Sequence, residues 1–389
     1  MYTITLKKNE EKRILDGHTW VYANEVAAID GKGKNGDIAQ VFSASGLFLG
    51  KGYINHLSKI LVRILSTDRK EEIDEAFFER RIKEANDLRL RMGYSNNYRA
   101  VYGEADNLPG LIVDKYGDVL SVQFLSLGMD IQKETIVNCL KKIFVPRGIY
   151  ERGDVSVREK EGLKQENCIL FGEFDAKVCI VENGIKMLVD VEKGQKTGYF
   201  LDQKENRFAL RRYAKDTRVL DCFANSGGFA LNCAAAGAKE VTALDISRLA
   251  VENIGENAKL NGLNVQAICC DVFEQLRLYK KENRTFDLII LDPPAFCKTA
   301  AEVKDAYRGY KDINILALKL LDKGGILATS SCSHYMSFSM FEDMLTDAAR
   351  ESRRRVRILE RRSQSPDHPS RIGCGETLYL KFYIAQVID

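Results

Sequence analysis

Asp221-Cys222-Phe223-Ala224-Asn225-Ser226-Gly227-Gly228-Phe229 follows the apolar run Val219-Leu220 and opens a helical pattern that continues through Ala236. An apolar strand that breaks at a glycine turn and re-forms as a helix is the opening step of a doubly wound α/β sheet. In such sheets ligands bind beyond the carboxyl ends of the strands, near the topological switch. The turn lacks the three-glycine dinucleotide fingerprint, so it disfavours a pyrophosphate and favours a smaller nucleoside ligand. A glycine pair by itself serves packing about as often as binding.

Downstream the pattern alternates. Glu240-Val241-Thr242-Ala243-Leu244-Asp245 reads as a strand and is followed by a helix through Asn261. Gln266-Ala267-Ile268-Cys269, Phe286-Asp287-Leu288-Ile289-Ile290-Leu291 and Gly325-Ile326-Leu327-Ala328-Thr329 read as unbroken strands buried in a parallel sheet. Acidic residues close four strands in order: Asp221, Asp245, Asp271 and Asp292. At the second, a carboxylate can accept both hydrogen bonds from a ribose diol. Asp271, with Val272 and Phe273 beside it, suits an adenine amino group and ring face. Each aspartate alone is equally a helix N-cap; four in register set the group apart.

Upstream, a length of 389 residues implies two or three domains. Ile38–Phe42, Leu47–Tyr53 and Ile60–Leu65 read as short strands, with Gly31, Gly33, Gly36 and Gly46 marking turns, which describes a small β-barrel over residues 1–70. After Asp74 the period becomes helical, with Phe77, Phe78, Ile82, Ala85, Leu88 and Leu90 recurring among charges. Strands at Leu111–Val113 and Val119–Phe124, separated by a turn at Asp114–Asp118, and a helix from Thr135 to Phe144 make residues 71–185 a central α+β domain. A hairpin, Val178–Val181 with Lys186–Val189 joined through Asn183-Gly184, leads into the last domain, 186–389.

Composition excludes several classes. Apolar residues at 45% and charged residues at 29% are the usage of a globular protein, not of a disordered or fibrous one. The start, Met1-Tyr2-Thr3-Ile4-Thr5-Leu6-Lys7-Lys8, turns charged before a signal peptide or membrane helix develops, which points to a cytoplasmic protein with no membrane partner. Ten cysteines without CxxC pairs give neither a disulfide framework nor a zinc site, so no metal is expected and most should be small buried hydrophobes. Net charge of +3 permits a nucleic-acid partner without requiring one. Arg353-Arg354-Arg355-Val356-Arg357 reads best as a solvated helix end. Nothing in the residue pattern fixes an oligomeric state.

The strand ends resemble those of class I S-adenosylmethionine-dependent methyltransferases, which have a Rossmann-like fold. The wider match is closer. Lys193-Gly194-Gln195-Lys196-Thr197-Gly198-Tyr199-Phe200-Leu201-Asp202-Gln203, Asp292-Pro293-Pro294, Arg308-Gly309-Tyr310-Lys311-Asp312-Ile313-Asn314 and Ser331-Cys332-Ser333 resemble the RlmI-like family of bacterial 23S ribosomal RNA 5-methylcytosine methyltransferases. That resemblance covers essentially the whole chain. It implies an N-terminal PUA domain, where Gly17-His18-Thr19-Trp20-Val21-Tyr22 and Gly50-Lys51-Gly52-Tyr53 fall, a central α/β domain, and ribosomal RNA, free or in a large-subunit particle intermediate, as partner. It implies cofactor contacts from Gln203, Asp221, Phe223, Gly227, Asp245, Ile246, Asp271, Val272 and Asp292.

Carbon 5 of cytosine is a poor nucleophile, and a thiolate added to carbon 6 activates it towards a sulfonium methyl. Cys332, after its strand and beside the Asp292 strand end, is the candidate nucleophile, and Asp292 the residue that would hydrogen-bond or protonate ring nitrogen 3. Cys297, five positions after Asp292, departs from the spacing of a second cysteine in cytosine methyltransferases and reads as structural. His334 and His368 are candidates for removing the carbon-5 proton. Two other readings stay open. One is methylation of an exocyclic amine at the Asp-Pro-Pro turn, although the aromatic, Phe296, arrives one residue late. The other is an RNA-binding module that keeps a cofactor pocket without turnover.

Overall fold

The computed structural model describes residues 1–297 and 299–389. Close packing divides them into two compact units: Met1–Ile180 with Val189–Leu201 and Pro366–Thr377, and Val181–Leu188 with Asp202–Ser365 and Leu378–Asp389.

The first unit holds two sheets. Six strands, β1 (Tyr2–Leu6), β2 (Trp20–Tyr22), β3 (Val26–Asp30), β4 (Ile38–Phe42), β5 (Phe48–Ile54) and β6 (Ile60–Ser66), form one sheet in the order β2-β6-β5-β4-β1-β3. The glycine-marked strands of the sequence are the middle of this sheet. Its first three strands, two of them preceding any of those glycines by more than a few residues, are not among the runs read from the sequence. β1 pairs in parallel with β4, and its alternation of buried and half-exposed residues places Tyr2, Ile4 and Leu6 in the core of this sheet, a half-barrel whose edge strands are β2 and β3. The helix Glu75–Arg91, capped by Asp74, then leads to β7 (Asn97–Tyr102), β8 (Leu111–Tyr116), β9 (Val119–Phe124), β10 (Gly148–Arg152) and β11 (Asn167–Gly172), in the order β11-β10-β9-β8-β7.

The turn expected at Asp114–Asp118 is shorter than that: β8 runs through Tyr116 and closes on β9 across Gly117-Asp118. Fully buried Asp114 can sit in that strand because Arg99 grips it with two nitrogens, at 2.8 and 2.7 Å.

The hairpin β12 (Lys177–Glu182) and β13 (Ile185–Asp190) turns at Asn183 and Gly184, both left-handed at φ 54° and 79°, which is the geometry an Asn-Gly pair favours. The division between the units runs through it.

The second unit is built on a seven-stranded sheet: β14 (Arg218–Cys222), β15 (Glu240–Asp245), β16 (Gln266–Cys269), β17 (Phe286–Leu291), β18 (Leu321–Ser331), β19 (Val356–Arg362) and β20 (Lys381–Val387). The order is β16-β15-β14-β17-β18-β20-β19. The chain leaves β14 towards β15 and β16, then returns to β17 on the other side, so the topological switch lies between β14 and β17. The five strands from β16 to β18 are parallel, and β20 runs antiparallel between β18 and β19.

β16 is not the buried strand its composition implied. It is the sheet edge, with Gln266 and Cys269 exposed. The basic run is a helix end only at its start: the helix Phe338–Ser352 stops at a left-handed Arg353, and Val356 and Arg357 already belong to β19. All ten cysteines are free, but only five are buried, namely Cys139, Cys222, Cys233, Cys297 and Cys374. Among the described residues no helix is long and apolar enough to cross a membrane.

Candidate active site at the strand ends

The turn after β14 is held in an unusual backbone shape. Phe223 and Asn225 have φ of 63° and 50°, and Gly227 follows at 84°. A bulky residue in the left-handed region is strained, and here its neighbours enforce it. Ala224 N–H bonds to the Leu244 carbonyl at 3.0 Å and Asn225 N–H to Asp245 Oδ2 at 2.9 Å. Gly227 is required twice over, since any Cβ there would also come within 3.1 Å of Ile254.

The four aspartates are not level. Cys222 pairs with both Leu244 and Leu291, and Asp245 with Cys269. Asp245 and Asp292 therefore share a level, Asp221 sits two residues deeper, and Asp271 lies two residues beyond. The expectation of a common register fails because strand and loop lengths differ at each end. Asp271 is exposed and caps the helix Val272–Lys281 through Glu274 N–H at 3.0 Å. Val272 beside it packs into the core with Leu276 and Tyr279, whereas Ile246, beside Asp245, is 71% exposed.

Asp221 is fully buried. Oδ2 accepts the Ala230 N–H at 2.9 Å, and Oδ1 has no hydrogen-bond partner among the described residues. Burial first, with Asp292 and Asp245 adding repulsion, holds its carboxyl well above the usual range. Asp245 accepts Asn225 N–H through Oδ2 and Ser247 N–H through Oδ1, both at 2.9 Å, leaving further lone pairs on each oxygen. Here Ser247, not Asp245, caps the following helix.

Asp292 is reached by a polar relay that sequence reading did not find. Arg362 Nε donates to Asn206 Oδ1 at 2.8 Å, Asn206 Nδ2 donates to Gln203 Oε1 at 2.7 Å, and Gln203 Nε2 donates to Asp292 Oδ1 at 2.8 Å. Each link fixes the next amide, so Gln203 must present its NH2 to Asp292. The Ser330 hydroxyl donates to the same oxygen. Burial still raises the Asp292 carboxyl above its ordinary value, with Asp202 adding to the effect, while Ser330, Arg207 and Gln203 oppose it.

Cys332 follows β18 immediately and is half-buried, between fully buried Ser331 and Ser333. Its strand pairs with β17 through Leu291 and Thr329, which brings the ends bearing Asp292 and Cys332 side by side. Tyr310, from the helix Val303–Leu320, ties the two loops together. Its hydroxyl lies 2.9 Å from Ser333 Oγ and 3.4 Å from the Phe296 N–H, and its ring packs 4.6 Å from that of Phe296. Gly309 leaves room for this, since a Cβ there would come within 3.2 Å of Phe296. Cys297 is buried, with Sγ donating to the Thr299 carbonyl at 3.0 Å. His334 is exposed beside Tyr335. His368 belongs to the other compact unit, buried and bonded to Asp367 at 2.8 Å.

A buried carboxyl oxygen in want of a partner, a second carboxylate with spare lone pairs and the strained glycine turn beside them suit a ligand carrying an ammonium and a ribose diol. Residues 158–379 match the family model of S-adenosylmethionine-dependent methyltransferases, and residues 4–67 match that of PUA-like domains. The fold and site define a class I methyltransferase whose cofactor is S-adenosylmethionine. Ribosomal RNA large subunit methyltransferase I of Pseudoalteromonas atlantica is 42% identical over 391 residues, covering 99% of each chain. The protein of that name from Klebsiella pneumoniae (strain 342) is 39% identical over 392 residues, covering 99% of this chain and 98% of its own. The chain belongs to this ribosomal RNA large subunit methyltransferase I family. In fold it also matches a solved structure assigned as a SAM-dependent methyltransferase from Streptococcus mutans, with a TM-score of 0.85, 22% identity and 100% of both chains covered.

Proposed function

We propose that this protein methylates carbon 5 of a cytosine in large-subunit (23S) ribosomal RNA, through a transient bond between Cys332 Sγ and carbon 6 of the base. The substrate class follows from the relatives' name. The observation that supports the chemistry is the placement of half-buried Cys332 and Asp292 on adjacent strand ends. Residues 1–70 would hold RNA as a PUA-like module, residues 71–185 form a central domain, and residues 186–389 carry out the transfer.

S-adenosylmethionine, when bound, supplies an electrophilic methyl group on a sulfonium. Asp221 would take its ammonium, Asp245 its ribose hydroxyls, and Gly227 and Phe223 would border it through the turn. Gln203, Ile246, Asp271 and Val272 complete the proposed surround, Val272 through its backbone because its side chain is packed inside.

Cys332 as thiolate adds to carbon 6, and the electron pair displaced from the ring settles on nitrogen 3. Asp292 is suited to hand a proton to that nitrogen, since burial raises its carboxyl pKa, and the Gln203–Asn206–Arg362 relay fixes its orientation. Carbon 5, now enamine-like, takes the methyl group. Loss of the carbon-5 proton to water then expels the thiolate, and nitrogen 3 returns its proton to Asp292.

Methylation of an exocyclic amine requires an aromatic ring free to stack on the base. Phe296, the available ring, packs against Tyr310 and lies 6.3 Å from Phe273, which favours the cytosine reading. Labelled S-adenosylmethionine, ribosomal RNA and identification of the modified base test the proposal. Transfer should yield 5-methylcytosine, Cys332→Ala should abolish it with cofactor binding retained, and Cys297→Ala should keep most of it. A methyl group on an exocyclic nitrogen would overturn the chemistry. Cofactor binding without turnover on any RNA would return the chain to a binding role.

A further inference from the structure

The strand Lys381–Val387 is apolar except at its first residue and Gln386, and that first residue is one of the largest fully buried side chains in the protein. Lys381 is 2% exposed. Its Nζ donates to the carbonyl oxygens of Ser333, at 2.6 Å, and Tyr379, at 2.7 Å. Among the described residues it has no carboxylate partner. Burying an ammonium against neutral oxygens alone is costly, and packing gives no reason for it, since a methionine would fill similar space.

The placement supplies the reason. The Cα of Lys381 pairs with that of Ser331, and its ammonium is anchored on Ser333, so backbone and charge bracket the residue between them, Cys332. We propose that Lys381 is the counter-ion of Cys332, a positioning residue that holds the cysteine as thiolate for attack on the base. This rests on the reading of Cys332 as the nucleophile.

Burial lowers the lysine pKa to about 8, and Cys332 is the charge that opposes this fall. A group titrating there is still mostly an ammonium at neutral pH. Tyr310, from the facing helix, is pushed up by burial and stays a neutral phenol. Asp292, at the end of β17, is engaged by Ser330 and Gln203. Tyr383, two residues along β20, bonds to Glu342. When Cys332 ionises, its proton leaves to solvent and Lys381 keeps its own.

The test follows the alkylation of Cys332 in the full-length protein by iodoacetamide across pH, read by mass spectrometry of its peptide. Cofactor affinity, measured alongside, reports folding. Wild type should show an inflection below that of an ordinary thiol. In Lys381→Met the inflection should rise by about one unit or more, the effect of losing an opposite charge nearby. Methyl transfer at neutral pH should fall about tenfold or more, as the thiolate fraction does, and recover in alkali. Lys381→Arg should restore the low inflection. Should Lys381→Met lose cofactor binding, Lys381→Gln is read the same way. An unmoved inflection in a variant that binds cofactor overturns the role of Lys381. Transfer by Cys332→Ala overturns instead the nucleophile on which the inference rests.

Discussion

The charges around Arg89 and Arg99 in the first unit and those at the strand ends of the second are buried in opposite ways. In the first, Arg89 is fully buried and bonds Asp106 with two nitrogens, each at 2.7 Å, while also donating to the carbonyls of Ala85, Arg99 and Asp367. Arg99 grips Asp114 in the same two-pronged manner. At the strand ends of the second unit, Asp221 keeps an oxygen without a partner, Asp292 is met by an amide and a hydroxyl, and Lys381 by carbonyls. Paired burial is structural, because each charge solves the other's desolvation. Burial without a counter-ion disfavours the charged form and leaves proton affinities displaced. Such groups gather where chemistry is done.

The sharpest break of the comparison is Arg89→Met, which strands Asp106 in the interior. Removing one member of a buried pair costs on the order of 3–5 kcal/mol, so denaturant unfolding should show a loss of that size. A loss under about 1 kcal/mol would mean that the paired charges hold nothing together.

Asp245→Ala should leave the fold in place and weaken S-adenosylmethionine binding tenfold to a hundredfold by calorimetry, since a charged hydrogen bond is worth roughly 1.5–3 kcal/mol. Part of that loss would come through the turn, because Asp245 also anchors Asn225. Unchanged affinity would remove Asp245 from the site.

The smallest effect has the opposite sign. The Asp221 carboxyl is held above its unfolded value, so the folded chain binds that proton more tightly. Its favourable contribution is full below the ordinary carboxylate range and is lost as pH rises through the raised value. Asp221→Asn removes this titration. Measured by thermal unfolding, the variant should gain on the wild type as pH rises from about 4 to about 7. A deficit that grows with pH would show that the carboxylate has a stabilising partner after all.

How far these features could be read in advance depended on how local they are. Runs such as Phe286–Leu291 and the Asn183-Gly184 turn declare themselves, because apolar burial and left-handed backbone leave a mark on neighbouring residues. β19 did not, since its basic residues, following directly on a helix, resemble a charged helix end. β16 misled for the converse reason, as an apolar strand at a sheet edge has the composition of a central one. Within the site, Asp221, Asp245, Asp292 and Cys332 stand at strand ends, which sequence order displays. Arg362 reaches Asn206 across 156 positions, a contact only the folded sheet brings about. The spacing of Gln203 and Asn206, three apart at the start of a helix, was a usable signal, as was a lone lysine opening an apolar strand.

The proposed transfer requires Cys332 to form a bond to its substrate, and one measurement reads that bond directly. Ribosomal RNA carrying 5-fluorocytosine is incubated with the enzyme and S-adenosylmethionine, and the denatured mixture is examined for protein bound to RNA. Fluorine cannot leave carbon 5 as a proton does, so the final elimination is blocked after the methyl group has moved. The wild type should be trapped with its RNA attached at Cys332, Cys297→Ala should be trapped equally, and Cys332→Ala should not be trapped at all. A methylated product with no adduct, or an adduct that persists in Cys332→Ala, would contradict the mechanism.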